Sequence, residues 1–182
     1  LRFMSFNQFS FTNVFAMLNA NYTNNKITNS QTLNNQFIQT TTPINVDNDL
    51  FLNGYFYFGT PIRPIKAKIN IRLNSSYNKS ILFINSTENN VDRVTNGGSI
   101  SLENRRKETI DMSIGTSISH TTTNYSISDN LNQKYVTNKI FADFLIDFKK
   151  DWTFSTEAEY TMYSGNQFED NPNIPIWEAS IS

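Results

Sequence analysis

The sequence predicts an all-β fold, an antiparallel up-and-down transmembrane β-barrel whose wall is a meander of about 8–9 long strands. Three observations lead to this prediction. Apolar and polar residues alternate with a period of two along most of the chain, without a competing helical period. Several alternating segments run for roughly 11–15 residues, whereas an ordinary strand has about 5–6 and a bilayer-spanning strand about 9–11. Short turns also alternate with long polar connections, as in outer-membrane barrels.

The predicted strands place their apolar side chains on one parity, after a partial strand at 1–6. In chain order these side chains are Val14, Ala16, Leu18, Ala20 and Tyr22; Ala67, Ile69, Ile71 and Leu73; Ile110, Met112, Ile114 and Ile118; Ile140, Ala142, Phe144, Ile146 and Phe148; and Trp152, Phe154, Ala158, Tyr160 and Met162. The other parity holds Asn, Ser, Thr and Gly with scattered charges, including Lys66, Lys68 and Arg72. A polar parity of this kind suits a water-filled lumen.

The connections between the strands fall into two classes. Short turns are predicted at 60–64, 104–107 and 149–151, and long polar loops at 24–49, 80–96, 125–133 and 165–175. With these connections as dividers, the chain makes roughly eight passes besides the partial strand.

Strand pairing across the turn at 149–151 can be predicted from the pattern. Placing Phe148 opposite Trp152 matches the apolar parities of both strands and sets Asp143 opposite Glu157.

The same argument extends to two earlier strands. Pairing Ile110 with Phe148, and Leu102 with Ile110, continues one apolar face over four neighbouring strands. A soluble β-sandwich would bury this face against a second sheet, whereas a barrel turns it to lipid. Trp152, Tyr77 and Tyr160 lie where interfacial aromatic girdles are expected, which favours the barrel.

Composition excludes several classes of function. The net charge of −1 and the pI of about 5.8 provide no basic surface for nucleic acid. The absence of Cys excludes thiolate metal sites. The sequence contains no run of about 18 apolar residues, so no transmembrane helix is predicted. No phosphate loop, metal-binding histidine pair or nucleophile elbow occurs. We therefore expect no enzymatic activity, no catalytic residue, no metal site and no cofactor.

His120 is the only histidine and the one residue that suggests catalysis. It would act as a general base if a serine lay nearby, as in a barrel esterase. The predicted register instead puts it opposite Asn138, near a strand end on the lipid parity. We interpret it as an interfacial polar residue.

Three carboxylates are the candidate ligand-binding residues. Asp143, Glu157 and Glu159 are predicted to share the lumen face, with the first two directly opposed. Opposed like charges are destabilising, so a cation, a basic side chain or hydration must offset them. No calcium-loop pattern accompanies them.

Basic residues crowd two of the predicted turns. These residues are Arg105, Arg106, Lys107, Lys149 and Lys150. They would contact phosphate headgroups or a partner, but we interpret them as solvated turn charges.

Three blocks of the sequence carry a family resemblance. They are FNQFSFTNVFAMLNANYTNNKI, TTTPINVDNDLFLNGYFYFGTPI and NIPIWEASIS. In this order and spacing they resemble the C-terminal barrel region of the outer membrane β-barrel family of Bacteroidota, within the TonB-dependent receptor superfamily. The resemblance covers nearly the whole chain.

The resemblance implies a receptor and transporter of the bacterial outer membrane. Its barrel has about 22 strands, is plugged by an N-terminal domain and is energised through TonB. Outer loops capture the ligand, and rearrangement of the plug releases it inward. This chain contains no plug, no TonB-contacting segment and no terminal strand ending in an aromatic residue. Residues 1–182 are therefore expected to be a single segment of a larger barrel domain.

Two other functions remain open at this point. A receptor-like wall also fits a structural barrel, which would scaffold surface lipoproteins or other subunits of an envelope assembly without transport. A secreted, soluble β-sandwich adhesin is the second alternative.

Overall fold

A computed structural model describes residues 1–33, 36–104, 110–148, 152–166, 168 and 170–182. The strands are β1 (Arg2–Asn7), β2 (Thr12–Thr23), β3 (Lys26–Leu33), β4 (Gln39–Val46), β5 (Asp49–Ile62), β6 (Ala67–Ile84), β7 (Thr87–Asn104), β8 (Ile110–Tyr125), β9 (Gln133–Phe148), β10 (Trp152–Gly165) and β11 (Asn173–Ile181). A short 3₁₀ helix, Asp129–Leu131, precedes β9. None of the described residues forms a helix long and apolar enough to cross a membrane.

All eleven strands belong to one sheet, with the order β1-β2-β5-β6-β7-β8-β9-β10-β11 along its main path. Every pair on this path is antiparallel, so the predicted up-and-down meander is confirmed. The sheet is open in the part of the chain that the structure describes, because β1 and β11 do not pair with each other. The nine strands of the path match the predicted partial strand and eight passes.

Two of the predicted loops are wrong, because they form strands. The segment at 24–49 contains the hairpin β3–β4, and β3 runs parallel to the end of β6 through Ser30 and Phe83. The segment at 80–96 continues β6 and β7 to a tight reversal at Asn85 and Ser86, with φ of 49° and 63°. Two consecutive residues in this left-handed region make the kind of turn that matches strand twist.

Of the three predicted short turns, one lies within the described residues and is displaced. The strand β5 continues to Ile62, so the turn occupies 63–66 rather than 60–64. Lys66 has φ of 51° and its N–H donates to the carbonyl of Arg63 at 3.1 Å. Lys66 is therefore a turn residue and not a lumen residue as predicted. The other two predicted turns, at 104–107 and 149–151, lie outside the described residues except for Asn104, which ends β7. Arg105, Arg106, Lys107, Lys149 and Lys150 also lie outside the described residues.

The predicted register is confirmed between β9 and β10. Phe148 pairs with Trp152, and Asp143 pairs with Glu157. The alternation of both strands and the short connection between them specify the same pairing, and a one-residue slip would invert every side chain.

The registers predicted for two other strand pairs are wrong. Ile110 pairs with Ile146 rather than Phe148, and Leu102 pairs with Ile114 rather than Ile110. Both displacements are even numbers of residues, so every side chain keeps its predicted face. The alternation fixes the parity alone, while the stagger between tilted strands of a curved sheet sets the register.

The two faces of the sheet differ in composition. The apolar face carries the even-numbered residues of β2, β5 and β7 to β10 and the odd-numbered residues of β1, β6 and β11. Its exposed members include Leu73, Ile100, Ile110, Met112, Ile114, Ile118, Ile140, Phe144, Phe148 and Trp152. The opposite side, termed the polar face, holds most of the charges.

Burial is the reverse of that in a soluble domain. The buried polar residues among those described are Asp49, Asn70, Asn89, Ser101, Thr121, Thr123 and Thr161, and the buried hydrophobic residues are Val46 and Val91. All seven of these polar residues lie on the polar face of main-path strands. Contacts between elements run mainly between hydrogen-bonded neighbours, so none of the described strands forms a second layer over this face. The burial of these polar residues indicates that the sheet curves toward its polar face.

Candidate functional site on the polar face

A row of carboxylates crosses the polar face of the C-terminal strands. Glu157 on β10 is opposed on one side by Glu178 and on the other by Asp143. Asp143 is opposed by Ser113, which in turn faces Glu103 on β7. Directly opposed residues on one face have Cβ atoms about 4.5–5.5 Å apart. The sheet therefore assembles acidic groups from four different strands into one line.

This row lines an open cavity of about 520 Å³. Its acidic lining residues are Glu103, Asp111, Asp143, Glu157 and Glu178. Among the residues that the structure describes, Asp143 and Glu157 form no ion pair with a Lys or Arg side chain. The cavity consequently carries a concentrated negative charge that attracts cationic groups.

Glu159 does not belong to this cavity, although it shares the face as predicted. Its carboxylate forms an ion pair with Lys139 Nζ at 2.8 Å and accepts a hydrogen bond from Thr161 Oγ1 at 2.8 Å. Thr161 is buried. The three predicted site residues thus separate into an opposed acidic pair and one carboxylate already neutralised by a basic side chain.

Sequence reasoning missed several members of the site. Lys139 has the same parity as Asp143 on β9, so the alternation contained a signal for it. Glu178 had no such signal, because β11 has apolar residues on both parities, with Ile176 beside Trp177. Glu103 joins the row only through the register of β7 with β8, which was predicted wrongly.

A hydrogen-bonded chain extends from the acidic row toward the N-terminal strands. The Tyr57 hydroxyl donates to Asn70 Oδ1 at 2.7 Å, and Asn70 Nδ2 donates to Glu103 Oε1 at 2.6 Å. Asn70 is 1% exposed. The space for the Tyr57 hydroxyl exists because Gly59 has no side chain, since a Cβ atom there would collide with that hydroxyl.

The arrangement supports electrostatic attraction rather than metal chelation. Within the described residues, no group of three or more His, Cys, Asp or Glu side chains is arranged to hold a metal ion. The carboxylates are spread along a row of strands instead of converging on one point.

His120 lies on the apolar face as predicted, but between Asn96 and Val136 rather than opposite Asn138. This follows from the corrected register of β8. In the part of the chain that the structure describes, His120 forms no hydrogen bond with a serine.

No protein-family model, no curated protein and no solved structure matches this chain.

Proposed function

We propose that this chain forms part of the wall of a bacterial outer-membrane β-barrel, a receptor and transporter of the TonB-dependent type. The observation that carries the proposal is the inverted sheet, in which polar side chains are buried on one face and large apolar side chains are exposed on the other. Lipid is the solvent that favours this arrangement, because an apolar surface of this extent in water promotes aggregation.

The distribution of charge supports the same proposal. No Asp, Glu, Lys or Arg lies on the apolar face of β8 or β10. The charged residues of this face in β6, β7 and β9 are Lys79, Glu88, Asp92 and Lys134. They occupy the half of each strand that is remote from Ala67, Asn104 and Phe148, respectively. On β8 the apolar stretch from Ile110 to Ile118 spans roughly 26 Å along the strand at about 3.3 Å per residue. At a strand tilt of about 35–45°, this stretch covers roughly 19–22 Å of an apolar band that is about 25 Å tall.

Polar groups within the apolar band form hydrogen bonds with neighbouring strands. Thr116 Oγ1 donates to the carbonyl of Lys139 at 3.0 Å, and Thr156 Oγ1 donates to the carbonyl of Glu178 at 2.9 Å. These hydroxyls need no water, which is the condition for placing them against hydrocarbon.

The receptor type rests on the family resemblance of the three sequence blocks. In that reading the polar face lines the lumen, a plug domain occupies it, and TonB supplies energy. The outer hairpins β3–β4 and β6–β7 then belong to the ligand-facing side. The open edges of β1 and β11 suit continuation of the sheet into a larger barrel.

The membrane orientation can be tested with single cysteine labels, because the chain contains no Cys. Ile118→Cys and Ser117→Cys place a polarity-sensitive fluorophore on adjacent residues of opposite faces. After folding into lipid vesicles, brominated acyl chains should quench the label at 118, and aqueous iodide should quench the label at 117. Equal iodide quenching at both positions would refute the membrane-facing assignment.

The receptor type requires a separate measurement on the native polypeptide that carries this sequence. Its intact mass should be several times 21.0 kDa if residues 1–182 belong to a large plugged barrel. A mass near 21.0 kDa would refute the receptor type but leave the membrane orientation to the labelling result.

A further inference from the structure

The polar face is predominantly acidic on one half and basic on the other. The carboxylates of the acidic row and Glu159 lie on β7 to β11, where this face also carries Arg93 and Lys139. On β1, β2, β5 and β6 the polar face instead carries Arg2, Lys68 and Arg72. The one acidic residue of these four strands on this face, Asp49 at the start of β5, is paired with Lys26 at 2.6 Å.

Each of the three cations lies beside an aromatic ring on the neighbouring strand. Arg2 Cζ is 5.1 Å from the centroid of Phe15, while Lys68 Nζ and Arg72 Cζ are 5.9 Å and 5.6 Å from that of Tyr57. Phe15 also contacts Tyr55, with ring centroids 5.9 Å apart. The cation–aromatic patch is defined as Arg2, Phe15, Tyr55, Tyr57, Lys68 and Arg72.

Glu103 on β7 is directly opposed to Lys68 of the patch, but the two arginines have no opposed carboxylate. Arg2, Lys68 and Arg72 form no ion pair with a described carboxylate. Arg2 and Arg72 are exposed, so their guanidinium groups are accessible from the polar face. A ring beneath a cation holds the side chain in place but leaves its net charge and most of its donors available.

The ring of Tyr57 is held in a fixed orientation. Its hydroxyl is bonded to the buried Asn70, and it lies over Gly59, where any side chain would displace it. A ligand that stacks on this ring or on Arg72 therefore meets a surface that is already ordered. Such order lowers the entropic cost of binding.

We propose that the cation–aromatic patch binds a small anionic ligand that carries a flat ring. The guanidinium group of Arg72 pairs with the anion in a bidentate manner, and the ring stacks on the aromatic side chains or on a guanidinium plane. The carboxylates on β9 to β11 repel the anionic end and so orient the ligand toward β1, β2, β5 and β6. This inference rests on the proposed function, since it names a ligand class for the face assigned to the lumen.

The test is a comparison of three probes with the native polypeptide that carries this sequence, folded in non-ionic detergent micelles. Benzoate has the anion and the ring, acetate has the anion alone, and benzyl alcohol has the ring alone. Titration calorimetry should give an affinity for benzoate at least tenfold higher than for either of the others, because each lacks one of the two contacts. Equal affinity for benzoate and acetate, or no benzoate binding, would overturn the proposal without any substitution.

Two substitutions locate the site. Arg72→Gln should weaken benzoate binding about tenfold, since a charge-assisted bidentate pair is lost. Arg93→Gln is the matched control, because Arg93 lies on the same face on β7, where its Nε donates to Thr123 Oγ1 at 3.3 Å. Equal weakening by both substitutions would overturn the proposal by indicating diffuse charge attraction. Circular dichroism of each variant verifies that the strands remain folded.

Failure of the inference and failure of the proposed function have different signatures. Vesicle labelling at residues 117 and 118 reports the membrane orientation whether or not a probe binds. Correct labelling without benzoate selectivity rejects the patch alone. Benzoate selectivity with equal iodide quenching on both faces rejects the membrane orientation and keeps the patch.

Discussion

Asp143 and Glu157 are directly opposed across β9 and β10 on the polar face, and neither forms an ion pair with a basic residue of the described chain. Two residues further along β10, the neighbouring carboxylate of Glu159 is held by Lys139 at 2.8 Å. Carboxylates on adjacent positions of one face thus have opposite electrostatic environments. This contrast leads to the first prediction.

Asp143→Asn should raise the free energy of unfolding by roughly 0.2–1 kcal/mol, because it removes repulsion between directly opposed like charges. Glu159→Gln is the matched control and should lower it by up to about 1 kcal/mol through loss of the Lys139 pair. Urea unfolding at pH 7 in vesicles measures both. Salt should shrink both effects, since it screens exposed charges. Destabilisation by Asp143→Asn would contradict the prediction.

Gly115→Ala should destabilise the sheet by about 1–3 kcal/mol, because the added atom overpacks a filled space. A Cβ atom at this position would lie 2.5 Å from Cζ of Phe141 and 2.7 Å from the backbone carbonyl oxygen of Ile100. The carbonyl cannot rotate away. Denaturant midpoints measured by tryptophan fluorescence give the change.

Gly54→Ala is the control for that substitution. A Cβ atom at Gly54 would lie 3.8 Å from the carbonyl oxygen of Ser75 and 3.9 Å from Cδ1 of Leu18, which are ordinary contacts. Alanine also restricts the unfolded chain, so stability should be unchanged or slightly higher. Equal losses at both glycines would show that contact distance does not govern the effect.

Ile114→Arg should destabilise the folded state in vesicles by roughly 2–4 kcal/mol, as expected for a charge near the bilayer midplane on the lipid side. Ser119→Arg, on the polar face of the same strand between Gly97 and Thr137, should change it by less than about 1 kcal/mol. Equilibrium folding titrations in urea with vesicles compare them. Equal tolerance of the two arginines would contradict the assignment of the faces.

Asn70→Ala should lower the free energy of unfolding by about 1–3 kcal/mol, because Asn70 is 1% exposed and hydrogen-bonded to both Tyr57 and Glu103. The substitution leaves a tyrosine hydroxyl and a carboxylate without their partner. Asn74→Ala, at an exposed position of the same strand and face, should have little effect. Unfolding in urea distinguishes them, and similar small losses would mean that water replaces Asn70.

Several features of the fold were predictable from local pattern. The alternation along β8, β9 and β10 determines which side chains share a face, because the side-chain period of a strand is two. The short connection after Phe148 then determines its pairing with Trp152, and so the opposition of Asp143 and Glu157. These features follow from neighbouring residues and require no long-range information.

Other parts of the site depend on tertiary structure. The strand β5 is apolar on both parities, as in Phe56, Tyr57 and Phe58, so its pattern does not reveal which rings meet the cations of β6. Pairing with β2 and β6 decides this and brings Tyr57 opposite Arg72.

The sequence by itself determined the antiparallel meander of long strands and, for β8, β9 and β10, the face on which each side chain lies. Only the tertiary structure decided the stagger that pairs Ile110 with Ile146, the hairpin β3–β4 beside β6, and the positions of Glu103 and Glu178 in the acidic row. The physical reason is that alternation is unchanged by a shift of two residues. Registers that differ by two residues have the same alternation. Strand tilt, twist and packing across the curved sheet determine which of these registers forms.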